Sequence, residues 1–405
     1  MKYNINSIRG DFPALDEGAA HFDGPGGVQV PRQVADAVAQ ALCSAIANRG
    51  TVTAAEHRAE GVVHAARAAM ADLLGVTASG IVFGRSMTQL TYDFARTLSK
   101  DWLPGDEIVV TRLDHDANIR PWVHAAEPAG VAVRWADFDA ASGVLAPEAI
   151  AELLTDRTRL VAVTGASNLL GSRPDVARIA ELAKARGALV YVDGVHLTPH
   201  LPVDVTELGA DFFACSPYKF LGPHHGVVAA EPALLDTLRP DKLLPATDEV
   251  PERFELGTLP YELLAGTTAA VDFLAGVCAR PNIPRRHQIT ASMQALAEHE
   301  EAMHAKLEAG LANISGIQCY GAPDRVRTPT TLFSVAGVPS PQVHKLLAER
   351  RVNAPAGSFY AVECSRWLGL GDGGAVRAGI APYTNESDVD RLLEALTEIA
   401  ENPSR

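Results

Sequence analysis

Residues Ala188–His196 read ALVYVDGVH, and residues Asp211–Gly226 read DFFACSPYKFLGPHHG. In each, a short apolar run breaks off on residues with polar or charged chemistry: Asp193 and His196 in the first, Ser216 and Lys219 in the second. Runs this short and this apolar suit strands buried on both faces. The same texture recurs upstream at Ile81–Phe83, Glu107–Val110, Val131–Trp135 and Leu160–Val163, each followed by a polar or Gly-containing turn. Helical patterns separate several of them, such as Pro174–Ala185, and a long Ala-rich helix over Ala54–Leu74 precedes the first. This rhythm predicts an α/β fold whose mainly parallel sheet is covered by helices. Ligands of such sheets sit beyond the carboxyl ends of the strands, where these polar residues stand.

After about Asn282 the texture changes. Arg285–Ile314 reads as a long amphipathic helix, and strand-like and helical pieces then alternate through Thr331–Val335, Pro341–Glu349, Ala375–Ala381 and Glu386–Ile399. Two prolines interrupt Arg280–Arg286 (RPNIPRR), which marks a boundary. A chain of 405 residues exceeds one small core. The expected organisation is a large domain over residues 18–282 and a smaller α+β domain built from residues 1–17 and 283–405.

The formal net charge of −14 argues against a nucleic-acid partner, since no basic surplus is available to neutralise phosphates. No window approaches 18 uninterrupted apolar residues, so no membrane span is expected. The N-terminal MKYNINSIRGDFPAL lacks the apolar region of a signal peptide. The five cysteines, Cys43, Cys215, Cys278, Cys319 and Cys364, form no CxxC pair and suggest neither a zinc site nor a disulfide framework. The expectation is a cytoplasmic protein with no metal.

Three segments carry chemistry. Lys219, held between an apolar run and a Gly-Pro turn, is placed to form an imine with an aldehyde cofactor; read alone, it is equally a solvated surface lysine. Asp193, just past its run, can pair with a protonated pyridine nitrogen and make that ring an electron sink, or it can simply cap the next turn. Gly84-Arg85-Ser86-Met87-Thr88-Gln89 lies between a strand and a helix pattern. Its amides and hydroxyls, those of Ser86, Met87 and Thr88 included, suit a phosphate cradle, against the alternative of plain N-capping by Ser86. No GxxxxGK[ST] motif is present, which disfavours a nucleoside triphosphate.

These three segments, in this order, resemble those of the class V aminotransferase-fold enzymes, a pyridoxal-phosphate (PLP) group that contains cysteine desulfurases and selenocysteine lyases. Further matches are Ala47-Asn48-Arg49-Gly50, Asp114-His115-Asp116-Ala117-Asn118 with Pro121-Trp122, Ser167-Asn168-Leu169-Leu170-Gly171, Arg253-Phe254-Glu255 with Gly257-Thr258, and Arg377 in Val-Arg-Ala-Gly. The resemblance implies fold type I: a large domain with a mainly parallel seven-stranded sheet flanked by helices, plus a smaller α+β C-terminal domain. It implies PLP held as a Schiff base on Lys219, and the expected catalytic set is Lys219, His115 and Tyr360. His115 would stack on the cofactor ring and Asp193 would bind its nitrogen. His196 stands where the group usually has Gln, near the phenolic oxygen, and Asn168 would sit by that oxygen or by the substrate carboxylate. Ser86, Met87, Thr88 and Ser216 would hold the phosphate. Gly257 and Thr258 would reach the phosphate of a second subunit, so a homodimer is implied. Arg377 would clamp the substrate α-carboxylate, and Asn48 and Arg49 would lie near the substrate. Each histidine is also readable as a core residue, Gly257-Thr258 as a turn, and Arg377 as a surface ion pair.

The chain departs from the desulfurase pattern at Ala356-Gly357-Ser358-Phe359-Tyr360-Ala361, where the group carries a nucleophilic cysteine. This stretch is similar to the Gly-x-Phe-Tyr-Ala signature of the cysteine desulfurase-like branch. Cys364 falls in a helix pattern over Tyr360–Leu368, where a cysteine normally acts as a small hydrophobe. Tyr218 likewise replaces the histidine that usually precedes the lysine. Without a thiolate nucleophile, the expectation is a lyase that cleaves C–S bonds of cysteine or a related β-substituted amino acid by elimination. Lys219 would move the Cα proton, and Tyr360 or Ser358 would serve as acid for the leaving group. An aminotransferase or an amino-acid racemase begins with the same proton removal, and a non-catalytic PLP-fold protein is a third possibility.

Overall fold

The computed structural model describes residues 3–278 and 281–402. Met1 and Lys2 of the expected N-terminal piece, Arg280 at the head of the expected boundary, and residues 403–405 lie outside the described residues. The strands, in chain order, are β1 (Ala20–His21), β2 (Ile81–Gly84), β3 (Glu107–Thr111), β4 (Ala132–Ala136), β5 (Thr158–Thr164), β6 (Leu189–Asp193), β7 (Phe212–Cys215), β8 (Gly226–Ala230), β9 (Ile317–Cys319), β10 (Thr330–Val335), β11 (Val352–Asn353), β12 (Ala356–Gly357) and β13 (Ala375–Gly379).

Seven of them form one sheet in the order β2-β8-β7-β6-β5-β3-β4. The β3, β4, β5, β6 and β7 neighbours pair in parallel, and only β8 runs against the others. Both faces are covered, as the apolar runs predict. On β5 and β6, Val161, Val163, Val190 and Val192 enter one core, whereas Leu160, Ala162 and Tyr191 enter the other. This period-2 partition follows from the pleat. The helix Ala54–Leu74 forms as read, with a Thr53/Glu56 capping box at its start and a left-handed Gly75 at its end.

The second sheet has the order β12-β13-β10-β9, with antiparallel neighbours. The helices Ser340–Glu349 and Glu386–Glu401 cover it around Phe333, Val376, Val343 and Leu392. β1 pairs in parallel with β11, and Asp23 bridges to Gly379. Residues 20–23 thus lie against strands from the C-terminal part of the chain. The helix Arg285–Ala312 buries Ile289, Met293, Leu296, Leu307 and Leu311 at helical spacing, but Ser292, Glu300 and His304 lie on the same buried stripe. These polar residues sit on the buried stripe because they find partners across the contact.

Candidate active site

The strand ends deliver the site. After β7 the chain turns through Pro217–Lys219, with Lys219 N donating to Ser216 O at 3.0 Å and Gly222 N to Pro217 O at 2.8 Å. This tight turn tucks Lys219 inward, so that a long cationic side chain is buried. Its Nζ donates to the carbonyl of Pro25 and lies 4.8 Å from the Tyr218 ring centre. Burial, with Arg377 nearby, pulls the Lys219 ammonium down to about 7; Asp193 opposes that shift.

Asp193 is the last residue of β6 and is buried. One carboxylate oxygen accepts from Val195 N at 2.9 Å. Burial raises the carboxyl to about 6, against the pull of that bond and of Lys219. The next residue must be small, since a Cβ on Gly194 would lie 1.9 Å from the Phe213 ring.

His115 sits on a turn after β3 that its neighbours lock in place. Buried Asp114 accepts from Thr111 and from Asn118 Nδ2, and Asn118 Oδ1 accepts from Trp122 Nε1 at 3.1 Å. His115 Nδ1 accepts from Ala117 N at 3.0 Å, which leaves the proton of a neutral ring on Nε2. Burial, then Lys219 and Arg377, push His115 down to about 4, so it is neutral at ordinary pH.

Arg377, in the middle of β13, is buried. Its Nη1 donates to Asn168 O at 2.8 Å, and its guanidinium lies 3.7 Å from the Phe359 ring centre. Burial lowers it to about 9. Its Nε and Asn168 Oδ1 are both buried without partners. A donor and an acceptor left open on two residues that line the same cavity are a place for a polar ligand group. Asn168 Nδ2 donates to Phe359 O at 2.9 Å, and Asp116 N donates to Tyr360 O at 2.8 Å. Phe359 and Tyr360 are consecutive non-glycine residues in the left-handed region, at φ 51° and 59°. These two carbonyl anchors hold them there and leave the Tyr360 side chain 75% exposed.

One cavity of about 620 Å³ collects Lys219, Asp193, His115, His196, Asn168, Arg377, Tyr360, Met87 and Thr88. The helix Met87–Leu98 begins at its wall. Other predicted residues stand elsewhere in this chain. Ser86 Oγ accepts from Gln89 N, so it caps the helix and does not line the cavity. Ser216 is buried where the turn after β7 starts. Arg49 is spent on Glu60 and Glu252, at 2.8 and 3.1 Å, and Asn48 is exposed; neither lines the cavity. Gly257 and Thr258 are exposed and away from it. Sequence reading missed Pro25 and Gly26, Thr164 at the end of β5, and Tyr92 with His124, which share a 3.2 Å hydrogen bond. Applying the strand-end rule to β5 finds Thr164; the others come from distant segments with no local mark.

The set fits PLP. A buried amine of lowered basicity suits an aldehyde, an inward carboxylate suits a pyridinium, a neutral imidazole suits an aromatic face, and a helix start suits a phosphate. Among the described residues no group of three or more His, Cys, Asp or Glu could hold a metal ion, and no helix is long and apolar enough to cross a membrane.

The profile of the family described as aminotransferase class-V matches residues 20–392. The aminotransferase-like protein FGM3 of Gibberella zeae is 33% identical, over 97% of this chain and 98% of its own. The uncharacterized protein MT3887 of Mycobacterium tuberculosis is 32% identical, over 98% and 100%. The crystal structure of the Escherichia coli cysteine desulfurase CsdA, in its S-sulfonic acid form, superposes with a TM-score of 0.86 at 28% identity, covering 98% of this chain and 99% of that one.

Proposed function

The chain belongs to the aminotransferase class-V family, whose cysteine desulfurase-like members are PLP-dependent enzymes, and we propose that it is a lyase cleaving the C–S bond of cysteine or a related β-substituted amino acid without an enzyme thiol. The observation that carries this reading is the company Lys219 keeps. Asp193 and Arg377 share its cavity, whereas no cysteine is among the described residues lining that cavity. Cys364 is buried with its thiol pushed far above the usual range by burial, and so it makes a poor thiolate.

Bound there, PLP supplies an electron sink for charge that develops at the substrate Cα. The chain's own residues do the rest. Lys219 anchors the aldehyde and then accepts the Cα proton, for which an amine of pKa about 7 is well matched at neutral pH. Asp193 pairs with the ring nitrogen, and neutral His115 covers the ring. The helix start at Met87 and Thr88 binds the phosphate. Arg377 and Asn168 offer their unpartnered Nε and Oδ1 to the substrate's polar groups. Tyr360, exposed at the mouth, gives its proton to the departing sulfur. Exposed Gly257 and Thr258 complete the phosphate site of a second copy in a homodimer.

The test is a panel of cysteine, cystine and cysteine S-conjugates with the purified protein. Pyruvate and ammonia are expected, and Lys219→Ala should abolish both the yellow colour and turnover. Alanine with an enzyme-bound persulfide would overturn the thiol-free reading. Conversion of the cofactor to its amine form would point to transamination, and a colourless wild type that cannot be reconstituted would remove the enzyme assignment altogether.

A further inference from the structure

The tight turn after β6 places a second histidine behind the cavity wall. Leu197 N and Thr198 N both donate to Gly194 O, and His200 N donates to Leu197 O. This winding brings the His196 and His200 rings to 5.2 Å, edge to face. His196 lines the cavity, and its Nε2 is engaged by Thr330 Oγ1 at 3.0 Å. His200 Nδ1 lies 2.8 Å from Glu300 Oε2. Glu300 is 1% exposed, and its Oε1 has no partner.

A carboxylate sealed in this way is costly, and an apolar residue on the same helix stripe would avoid the cost. The cost brings a chain of polar groups that starts in the helix Arg285–Ala312 and ends at the cavity. Burial pushes His196 well below its usual range, with His200, Arg377 and Lys219 adding to the shift, so the ring is neutral. The neighbouring ionisable groups are His304, one turn along the helix and bonded to Thr331, and Tyr3 and Tyr383, which face Glu300.

We propose that Glu300 and His200 are positioning residues of the cofactor site: a buried carboxylate–imidazole pair that fixes the His196 ring against the wall and reserves its Nδ1 for the bound cofactor. The proposal rests on reading the cavity as the PLP site. The carboxylate holds a proton on His200 Nδ1 and so sets that ring's orientation. The edge contact passes the orientation to His196, whose other nitrogen is already committed to Thr330.

The experiment compares Glu300→Gln, Glu300→Leu, His200→Gln and the double variant Glu300→Gln/His200→Gln. PLP is titrated into each apoprotein, and the absorbance maximum of the bound cofactor is recorded with the melting temperature. Each single variant should weaken PLP binding about 10-fold and shift the absorbance maximum, and the double should lose no more than the worse single. Glu300→Leu leaves the buried His200 Nδ1 without a partner and should lower the melting temperature as well as the PLP affinity, whereas Glu300→Gln keeps an acceptor for that nitrogen and should show the weakened binding with little change in melting temperature. Wild-type affinity and spectrum beside a lowered melting temperature would make the pair a structural anchor and overturn the proposal, as would additive losses. Covalent PLP retained by Lys219→Ala would instead bring down the site reading, and this inference with it.

Discussion

The proposed phosphate cradle depends on one missing methyl group. Gly226 opens β8 and pairs with Gly84, the last residue of β2. A Cβ on Gly226 would lie 2.2 Å from the Ser86 carbonyl carbon and 2.3 Å from Met87 N. Ordinary contact starts near 3.4 Å, so the start of the helix Met87–Leu98 must retreat by roughly 1 Å in Gly226→Ala. The obstacle is backbone and cannot be rotated aside. Overpacking of this kind costs about 1–3 kcal/mol of stability. The larger effect falls on ligand binding. Each phosphate hydrogen bond lost from Met87 or Thr88 weakens affinity by about 1.5–3 kcal/mol, roughly 10- to 100-fold. Titrating the apoprotein with PLP and with pyridoxal, which lacks the phosphate, separates the two effects. Gly226→Ala should lose PLP affinity and leave pyridoxal affinity nearly unchanged. Gly61→Ala, on a helix with nothing within 4 Å, is the control and should be neutral or stabilising by up to about 1 kcal/mol. A folded Gly226→Ala that binds PLP as tightly as wild type would refute the reasoning.

Other residues give further expectations. Because the Asp193 carboxyl is raised to about 6, the apoprotein loses stability as pH climbs from about 4 through 6. Asp193→Asn should therefore melt higher than wild-type apoprotein at pH 7.5, by up to the order of 3 kcal/mol, while binding PLP poorly; a lower melting temperature would contradict this. Lys219 is neutral above about pH 7, so the rate of PLP incorporation should rise with a midpoint near 7, and Arg377→Gln should move that midpoint upward because Arg377 depresses the amine; a wild-type midpoint above pH 9 would count against the buried lysine. Tyr360→Phe should cut kcat about 100-fold without moving the melting temperature, since the ring is exposed. Cys364→Ala should leave the products unchanged, and loss of turnover in a folded variant would restore a thiol route.

How much of this was legible in the sequence depended on distance along the chain. Strands that carry their own apolar run, such as β5 and β6, were readable, and so were Asp193 and Lys219 at strand ends. The antiparallel β8 was missed, because Gly226–Ala230 looks like a continuation of the lysine loop and nothing local gives its direction. Ser86 and Arg49 do not line the cavity in this chain, where local chemistry engages them: a capping bond for one, two carboxylates for the other. Glu300 and His200 have no motif at all. Each is an ordinary polar residue in its own segment, and only the packing of the long helix on the β6 turn makes them a pair.

The carbonyl that receives Lys219 Nζ comes from Pro25, on a turn that follows β1. β1 is held in place by β11, nearly the whole chain away, and Asp23 by Gly379. On a ribosome, the segments of the seven-stranded sheet emerge long before those late strands exist. Contacts so remote in sequence close slowly, after local structure has formed. A nascent chain can thus present the lysine without its lodging. If Lys219 captures an aldehyde as proposed, stable capture follows the arrival of these C-terminal strands.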